Sequence, residues 1–236
     1  LWQPSDEQVR AAHVTAFREA VSARYDVPLS DYGALWRWSV KERAAFWDTL
    51  WDFAGVVAAE KVHVVVHDSA RIPGARWFPQ ARLNSAENLL QRRDDGEAIV
   101  FRGEQRVRRR LTFRELYDEV SRVAQAFRGL GVEAGDRVAA YLPNMPEAVV
   151  AMLAAASIGA IWSSCSPDFG VRGVLDRFGQ IEPKILVAAD GYFYKDRTHG
   201  SLDRLGPILA GLPSVEATVV DGVLQPNAGD YRVTGV

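Results

Sequence analysis

The chain predicts an α/β fold: a mostly parallel sheet with helices on both faces, preceded by a helical, tryptophan-rich N-terminal extension. Three observations carry this expectation. From Leu111 to Ala189, amphipathic helical runs and short apolar strand runs alternate with almost no slack. That is the pattern of parallel strands joined by helical crossovers. Glycines and prolines punctuate the runs, with Gly131, Pro143, Pro146, Gly159 and Pro183 as the clearest stops. Six of the seven tryptophans lie in the first 77 residues, ahead of that stretch.

The extension comes first. Ser5 and Gln8 form a capping box that opens a helix reaching Tyr25, with Val9, His13, Phe17, Ala20, Val21 and Arg24 along one side. Asp26 to Ser30, with Pro28, is a turn, and Asp31 to Trp38 is a short helix. Ser39 with Glu42 reads as a second capping box, predicting a helix from Val40 to about Ala54. Trp47 and Trp51 share a face of it, four residues apart. Such tryptophans are expected to pack a core or dock on another domain, because aromatic rings supply large buried areas. Lys61 to His67 alternates as a strand. On it, His63 and His67 would stand roughly 13 Å apart at ~3.3 Å per residue, too far to share one metal ion. Arg71 to Leu90 is irregular around Pro73, Gly74 and Pro79, anchored by Trp77 and Phe78, with a helix starting near Asn84.

After a turn at Asp94–Gly96, Ala98–Phe101 and Val107–Leu111 read as a hairpin around Arg102–Arg106. Arg106, Arg108, Arg109 and Arg110 are the densest positive charge. On a strand, Arg108 and Arg110 point opposite to Arg109. A solvated edge strand protected by charge is therefore expected, rather than a phosphate or nucleic-acid patch. Thr112 and Glu115 cap a helix from Phe113, whose apolar face is Phe113, Leu116, Tyr117, Val120, Val123, Ala124 and Phe127. Gly131 ends it. Glu133 to Asp136 is a turn, and Arg137 to Leu142 a buried strand. Pro146 opens a helix to Ile158 that is apolar nearly all round and so buried. Ala160–Cys165 and Lys184–Ala189 are further strands, separated by an amphipathic helix from Val171 to Gln180. Leu202 to Leu212 reads as a helix interrupted at Pro207, and Val215 to Asp221 as a fourth strand. Gly222 to Val236 is polar and turn-rich, and reads as a chain cut mid-domain. In open sheets of this kind ligands sit beyond the carboxyl ends of the strands. That singles out Pro143–Pro146, Ser166–Gly170 and Asp190–Arg197.

Composition bounds the function. At 48% hydrophobic and 25% charged residues with a net charge of −2, nothing asks for nucleic acid or an anionic membrane. No apolar run has membrane-spanning length. One cysteine, Cys165, excludes an internal disulfide and fits a reducing compartment, so cytoplasm is the expectation. Cys165 reads as a small buried strand residue. Gly129, Gly131 and Gly135 approach a dinucleotide fingerprint, but the spacing differs and they follow a helix rather than a strand.

Trp77–Leu90 (WFPQARLNSAENLL) and the stretch Leu111–Gly170 resemble the first part of an AMP-forming acyl-CoA synthetase of the adenylate-forming superfamily. Leu35–Leu90 is similar to the N-terminal extension of the acetyl-CoA synthetase type. Ser163–Gly170 (SSCSPDFG) with Asp190–Lys195 (DGYFYK) resembles the acetoacetate-ligating branch; acetyl and propionyl types usually carry a Gly-Gly-Phe-Ser segment there. The resemblance implies residues 1–90 as the extension. It implies 91–236 as the first part of the AMP-binding domain, stopping before the phosphate-binding loop.

It also implies a chemistry: ATP and Mg²⁺ convert acetoacetate to an acyl-adenylate with release of pyrophosphate, and CoA then takes the acyl group and releases AMP. In the family the first step uses a Ser/Thr–Gly-rich loop ending in Pro-Lys, a Tyr-Arg-Thr-Gly-Asp segment and a lysine of a small C-terminal domain. None of these is in the sequence; Tyr231–Gly235 echoes the second only faintly. The expectation is a piece of a longer polypeptide, with no catalytic or metal-binding residue of its own and no tightly bound cofactor, partnered by the missing C-terminal part. By position, the resemblance places Pro167, Asp168 and Phe169 near the pantetheine arm of CoA, and Lys195 and Arg197 near its phosphates. Alternatives are a fragment of an acetyl- or propionyl-CoA synthetase, or a non-catalytic CoA-binding or interaction module.

Overall fold

The structure, a computed structural model, describes residues 2–61, 63–104 and 106–221, and the backbone of 232–235. It divides into two compact units, Leu1–Leu83 and Asn84–Val236.

The first unit contains α1 (Asp6–Ala11), α2 (His13–Tyr25), α3 (Tyr32–Lys41), α4 (Arg43–Phe53), β1 (Val66–His67) and β2 (Arg76–Trp77). The Ser5–Gln8 capping box forms. The single helix expected to follow it does not, because extended Ala12 separates α1 from α2. α1 buries no residue, so no packing holds it in line with α2. Ser39 is not a cap either. It lies inside α3, where its hydroxyl donates to the Trp36 carbonyl (2.8 Å). α3 begins at Asp31 as expected, the Asp31 carboxylate accepting the Ala34 N–H (2.7 Å), and the helix expected from Val40 starts at Arg43 with no side-chain cap. Of the strand expected over Lys61–His67, only Val66 and His67 pair, because the antiparallel partner Arg76–Trp77 is equally short; Val62 lies outside the described residues.

The core of this unit is Phe17, Val21 and Leu35. Phe46 and Phe53 meet Phe17 at steep interplanar angles, with centroids 5.4 and 5.2 Å away. Trp38 packs on Tyr25 and Trp51 on Phe78, while Trp2 and Trp36 stay exposed. The tryptophans are thus partly core and partly surface.

The second unit contains α5 (Ser85–Leu89), β3 (Glu97–Gly103), β4 (Val107–Thr112), α6 (Phe113–Gly129), β5 (Arg137–Tyr141), α7 (Pro146–Ser157), β6 (Ile161–Cys165), α8 (Val171–Phe178), β7 (Ile185–Ala189), β8 (Gly191–Tyr194), β9 (Arg197–Gly200), α9 (Leu202–Ala210), β10 (Ala217–Asp221) and β11 (Arg232–Gly235). Among the described residues one five-stranded sheet has the order β11-β10-β7-β5-β6. β10, β7, β5 and β6 run parallel, and β11 is antiparallel to β10. β11 falls in the segment read as turn-rich; residues 222–231 and 236 lie outside the described residues.

Alternation along the strands builds a core on each face. Val138, Ala140, Ile185, Val187, Ala217 and Val219 pack with α5, α6 and α7. Ala139, Tyr141, Leu186 and Ala188 pack with α8 and α9. The three-layer expectation therefore holds. The Thr112–Glu115 capping box forms, and Leu116, Val120, Val123, Ala124 and Phe127 are the buried face of α6. Gly131 and Gly159 take positive φ (77° and 79°) just beyond α6 and α7, where glycine adopts that backbone without a Cβ clash. α9 runs through Pro207 rather than breaking there. Leu205 and Ile208 are buried in the core that α8 and α9 cover, and that packing outweighs the one backbone hydrogen bond proline removes. Among the described residues no helix is long and apolar enough to cross a membrane.

Candidate functional site

Because β5, β6, β7 and β10 are parallel, their carboxyl ends share one edge of the sheet. Two segments leave that edge with unusual polar fixation. The first is Ser166–Gly170, after β6. Tyr141, the last residue of β5, is fully buried and sends its hydroxyl to the Pro167 carbonyl (2.8 Å), with a longer contact to the Phe169 carbonyl (3.2 Å). Arg204 on α9 donates Nη1 to the same Pro167 carbonyl (2.8 Å) and lies 3.4 Å from the Tyr141 hydroxyl. That hydroxyl partner raises the Arg204 pKa, keeping its charge. Pro167 is buried, and Phe169 is 37% exposed with the Arg177 guanidinium 4.0 Å over its ring. The Asp168 carboxylate is already engaged. It accepts from the Ser166 hydroxyl (3.0 Å) and from the Tyr192 hydroxyl (2.9 Å).

The second segment follows β7. It is not the loop the sequence suggests but a tight hairpin, β8 pairing with β9. Lys195 and Asp196 form its two-residue turn, both at positive φ (50° and 58°), the geometry that matches strand twist. Glu104, at the tip of the β3–β4 hairpin, accepts both turn N–H groups (2.7 and 3.0 Å). Arg106 donates to the Asp196 carbonyl (3.1 Å). Lys195 and Arg197 are exposed.

Of the residues anticipated from the resemblance, Pro167, Asp168 and Phe169 lie on one segment, while Lys195 lies in the other's turn and Arg197 directly after it. The Tyr192–Asp168 hydrogen bond joins the two segments. Burial, then Asp168, raises the Tyr192 pKa. His199, isolated in sequence, stacks on Tyr192 at 5.0 Å, and its Nε2 is buried without a hydrogen-bond partner among the described residues.

No motif in the sequence assigns a role to Tyr141, Tyr192 or Arg204. One signal in the sequence points to Arg204, the third residue of α9, in the first turn, where the helix dipole disfavours a cation.

Cys165 ends β6 next to this loop. It is buried, and desolvation pushes its thiol up to about 11, so it is a protonated packing group rather than a nucleophile. Among the described residues no group of three or more His, Cys, Asp or Glu could hold a metal ion.

Comparison with known proteins gives the following. The family model described as AMP-binding enzyme matches residues 86–230, and that described as acetyl-coenzyme A synthetase N-terminus matches residues 32–89. The chain is 46% identical over 230 residues to acetoacetyl-coenzyme A synthetase of Rhizobium meliloti (strain 1021), covering 98% of this chain and 34% of that protein. It is 42% identical over 224 residues to acetoacetyl-CoA synthetase of Macaca fascicularis, covering 93% and 33%. The structure of acetoacetyl-CoA synthetase from Streptomyces lividans superposes with a TM-score of 0.88 at 39% identity, covering 98% of this chain and 36% of that one. The chain thus spans about a third of the length of the curated relatives it matches.

Proposed function

The chain belongs to the AMP-binding enzyme family, and from that membership we propose that it is the N-terminal part of an acetoacetate:CoA ligase. The parent enzyme activates acetoacetate with ATP to an acyl-adenylate, releasing pyrophosphate, and passes the acyl group to the CoA thiol, releasing AMP. Residues 1–90 are its N-terminal extension and 91–236 the opening part of its AMP-binding domain. Its partners are acetoacetate, ATP, CoA and the C-terminal remainder of the same polypeptide. Its single cysteine is buried and unpaired, which supports a cytoplasmic setting. The names and 93–98% coverage of the relatives support acetoacetate as the acid.

Within this chain the described residues do not fit ATP and Mg²⁺. They offer neither an oxygen cluster for the ion nor a glycine- and hydroxyl-rich loop ending in lysine to hold phosphates. No adenylation step is assigned to them. What they supply is a rigid edge for CoA: Pro167, Asp168 and Phe169 beside the pantetheine arm, Lys195 and Arg197 beside the phosphates. The hydrogen bond from Tyr192 to Asp168 is the observation that supports this most, because it joins the apolar segment and the basic hairpin into one surface.

The test has two arms. The purified 236-residue chain is expected to show no acetoacetate-dependent pyrophosphate exchange, whereas the full-length protein shows it and prefers acetoacetate to acetate and propionate. In the full-length protein, Lys195→Glu with Arg197→Glu is expected to raise the KM for CoA about tenfold or more, since each lost phosphate contact is a charge-assisted one. Exchange by the short chain, or an unchanged KM for CoA, would sink the corresponding half of the reading.

A further inference from the structure

Three elements converge on the five residues Ser166–Gly170. Tyr141 reaches them from the end of β5, Arg204 from the first turn of α9, and Tyr192 from β8. Two of the three go to main-chain carbonyls, so they fix the path of the backbone whatever side chains it carries. The Pro167 carbonyl takes two donors at 2.8 Å, filling both its lone pairs.

Arg204 is the unexpected member. A cation in the first turn of a helix opposes the helix dipole, and acids are preferred there. α9 also carries Asp203 in that turn, the residue its terminus favours. Helix stability therefore gives no reason for arginine at this position. The hydrogen bond to the Pro167 carbonyl does. A local rule broken in favour of one long-range contact marks a site with a task beyond folding.

We infer that Arg204, acting with the Tyr141 hydroxyl, is a positioning residue that holds the Pro167–Phe169 backbone in the shape against which the pantetheine arm of CoA lies. The inference rests on the proposed CoA reading of that segment and adds the groups that pre-form it. Arg204 touches the loop, not the substrate. Its loss leaves the segment's residues present but displaced, and misplacement of about 1 Å at a reacting centre is worth up to about a hundredfold.

The experiment uses the full-length ligase with four variants: Arg204→Ala, Arg204→Lys, Tyr141→Phe and Phe169→Ala. Two quantities are read, acetoacetate-dependent pyrophosphate exchange, which needs no CoA, and the KM for CoA in the complete reaction. Arg204→Ala is expected to raise the KM for CoA about tenfold, with exchange changed less than about twofold. Lysine keeps one donor for the Pro167 carbonyl, so Arg204→Lys should recover most of that loss. Tyr141→Phe removes a single hydroxyl from an otherwise unchanged buried ring. It keeps the test decisive should Arg204→Ala fold poorly, and a rise in CoA KM of about threefold is expected from one lost hydrogen bond.

If exchange falls in step with the CoA reaction, Arg204 serves the fold alone and the inference is overturned. If Phe169→Ala raises the KM for CoA while Arg204→Ala and Tyr141→Phe do not, the CoA reading stands and the positioning role fails. If none of the four changes it, both fail together.

Discussion

Asp136 shows how one side chain holds a junction of the sheet. Its carboxylate accepts the Glu133 N–H (2.9 Å) and the Lys184 ammonium (3.2 Å), and Lys184 also reaches the Gly131 carbonyl (2.7 Å). Those contacts, the backbone N–H first and the lysine second, hold the carboxyl below its usual range. A depressed folded-state value stabilises the protein above the unfolded pKa of about 3.9, and the gain is lost as pH falls through the folded value. Asp136→Asn should therefore lower the urea midpoint at neutral pH, and the deficit should shrink as pH falls below about 3.9. Urea titrations at neutral pH and below that value check this, and an undiminished deficit at the lower pH would show that the carboxylate charge is not the cause. At this scale the sequence is legible where partners are close. Thr112 with Glu115, Ser5 with Gln8 and the Gly131 stop are all within four residues of what they serve. Tyr141, Tyr192 and Arg204 are opaque because their partners lie 26, 24 and 37 residues away, and no periodicity reports such pairings.

Elements carry the next level of constraint, and the Arg106–Arg110 run illustrates it. Strand alternation separates Arg109 from Arg108 and Arg110, as its sequence implies. Arg108 and Arg110 are exposed and fit the charged-edge expectation. Arg109 does not. It turns inward from β4, donates to both Glu119 oxygens on α6 (2.9 and 3.1 Å) and pairs with Glu147 in the first turn of α7. Glu147 is only 6% exposed, so it needs that cation: an uncompensated buried carboxylate is costly. Sequence shows the parity of a strand but not which helix it will face. Arg109→Met is expected to destabilise the protein by about 2–3 kcal/mol, less than a fully buried pair would, since Arg109 is partly solvated. Adding Glu147→Met should recover part of it, because the more buried of the two carboxylates that Arg109 serves is then no longer an orphan charge. Denaturant unfolding of the single and double variants decides; a double variant no better than Arg109→Met would mean the strand itself, not the charge balance, is at fault.

Over the whole molecule, stability should be distributed as unevenly as the buried area. The unit Asn84–Val236 has a core on each face of its sheet, and β5 and β7 sit between them with every residue from Val138 to Tyr141 and from Ile185 to Ala189 buried. The unit Leu1–Leu83 gathers its fully buried apolar residues into one small group of Phe17, Val21 and Leu35. It adds an exposed ion-pair cluster in which Arg24 and Lys61 each meet Asp48 and Asp52. Exposed pairs of that kind contribute little, typically below about 1 kcal/mol each. The helical pattern that reads so plainly from Asp6 to Tyr25 says nothing of this. An amphipathic repeat forecasts a helix, whereas the protection of its amides depends on what covers it. Opening free energies follow local burial, from near zero at bare helices to the global value in core strands. Amide hydrogen exchange should accordingly be slowest in β5 and β7 and faster by at least about a hundredfold in α1, where no side chain is buried. Mass-spectrometric exchange over peptides spanning Asp6–Ala11 and Arg137–Tyr141 measures the ratio directly. Equal protection in the two peptides would mean that α1 is held by something other than its own unit's core, and that local stability in this protein does not follow buried area.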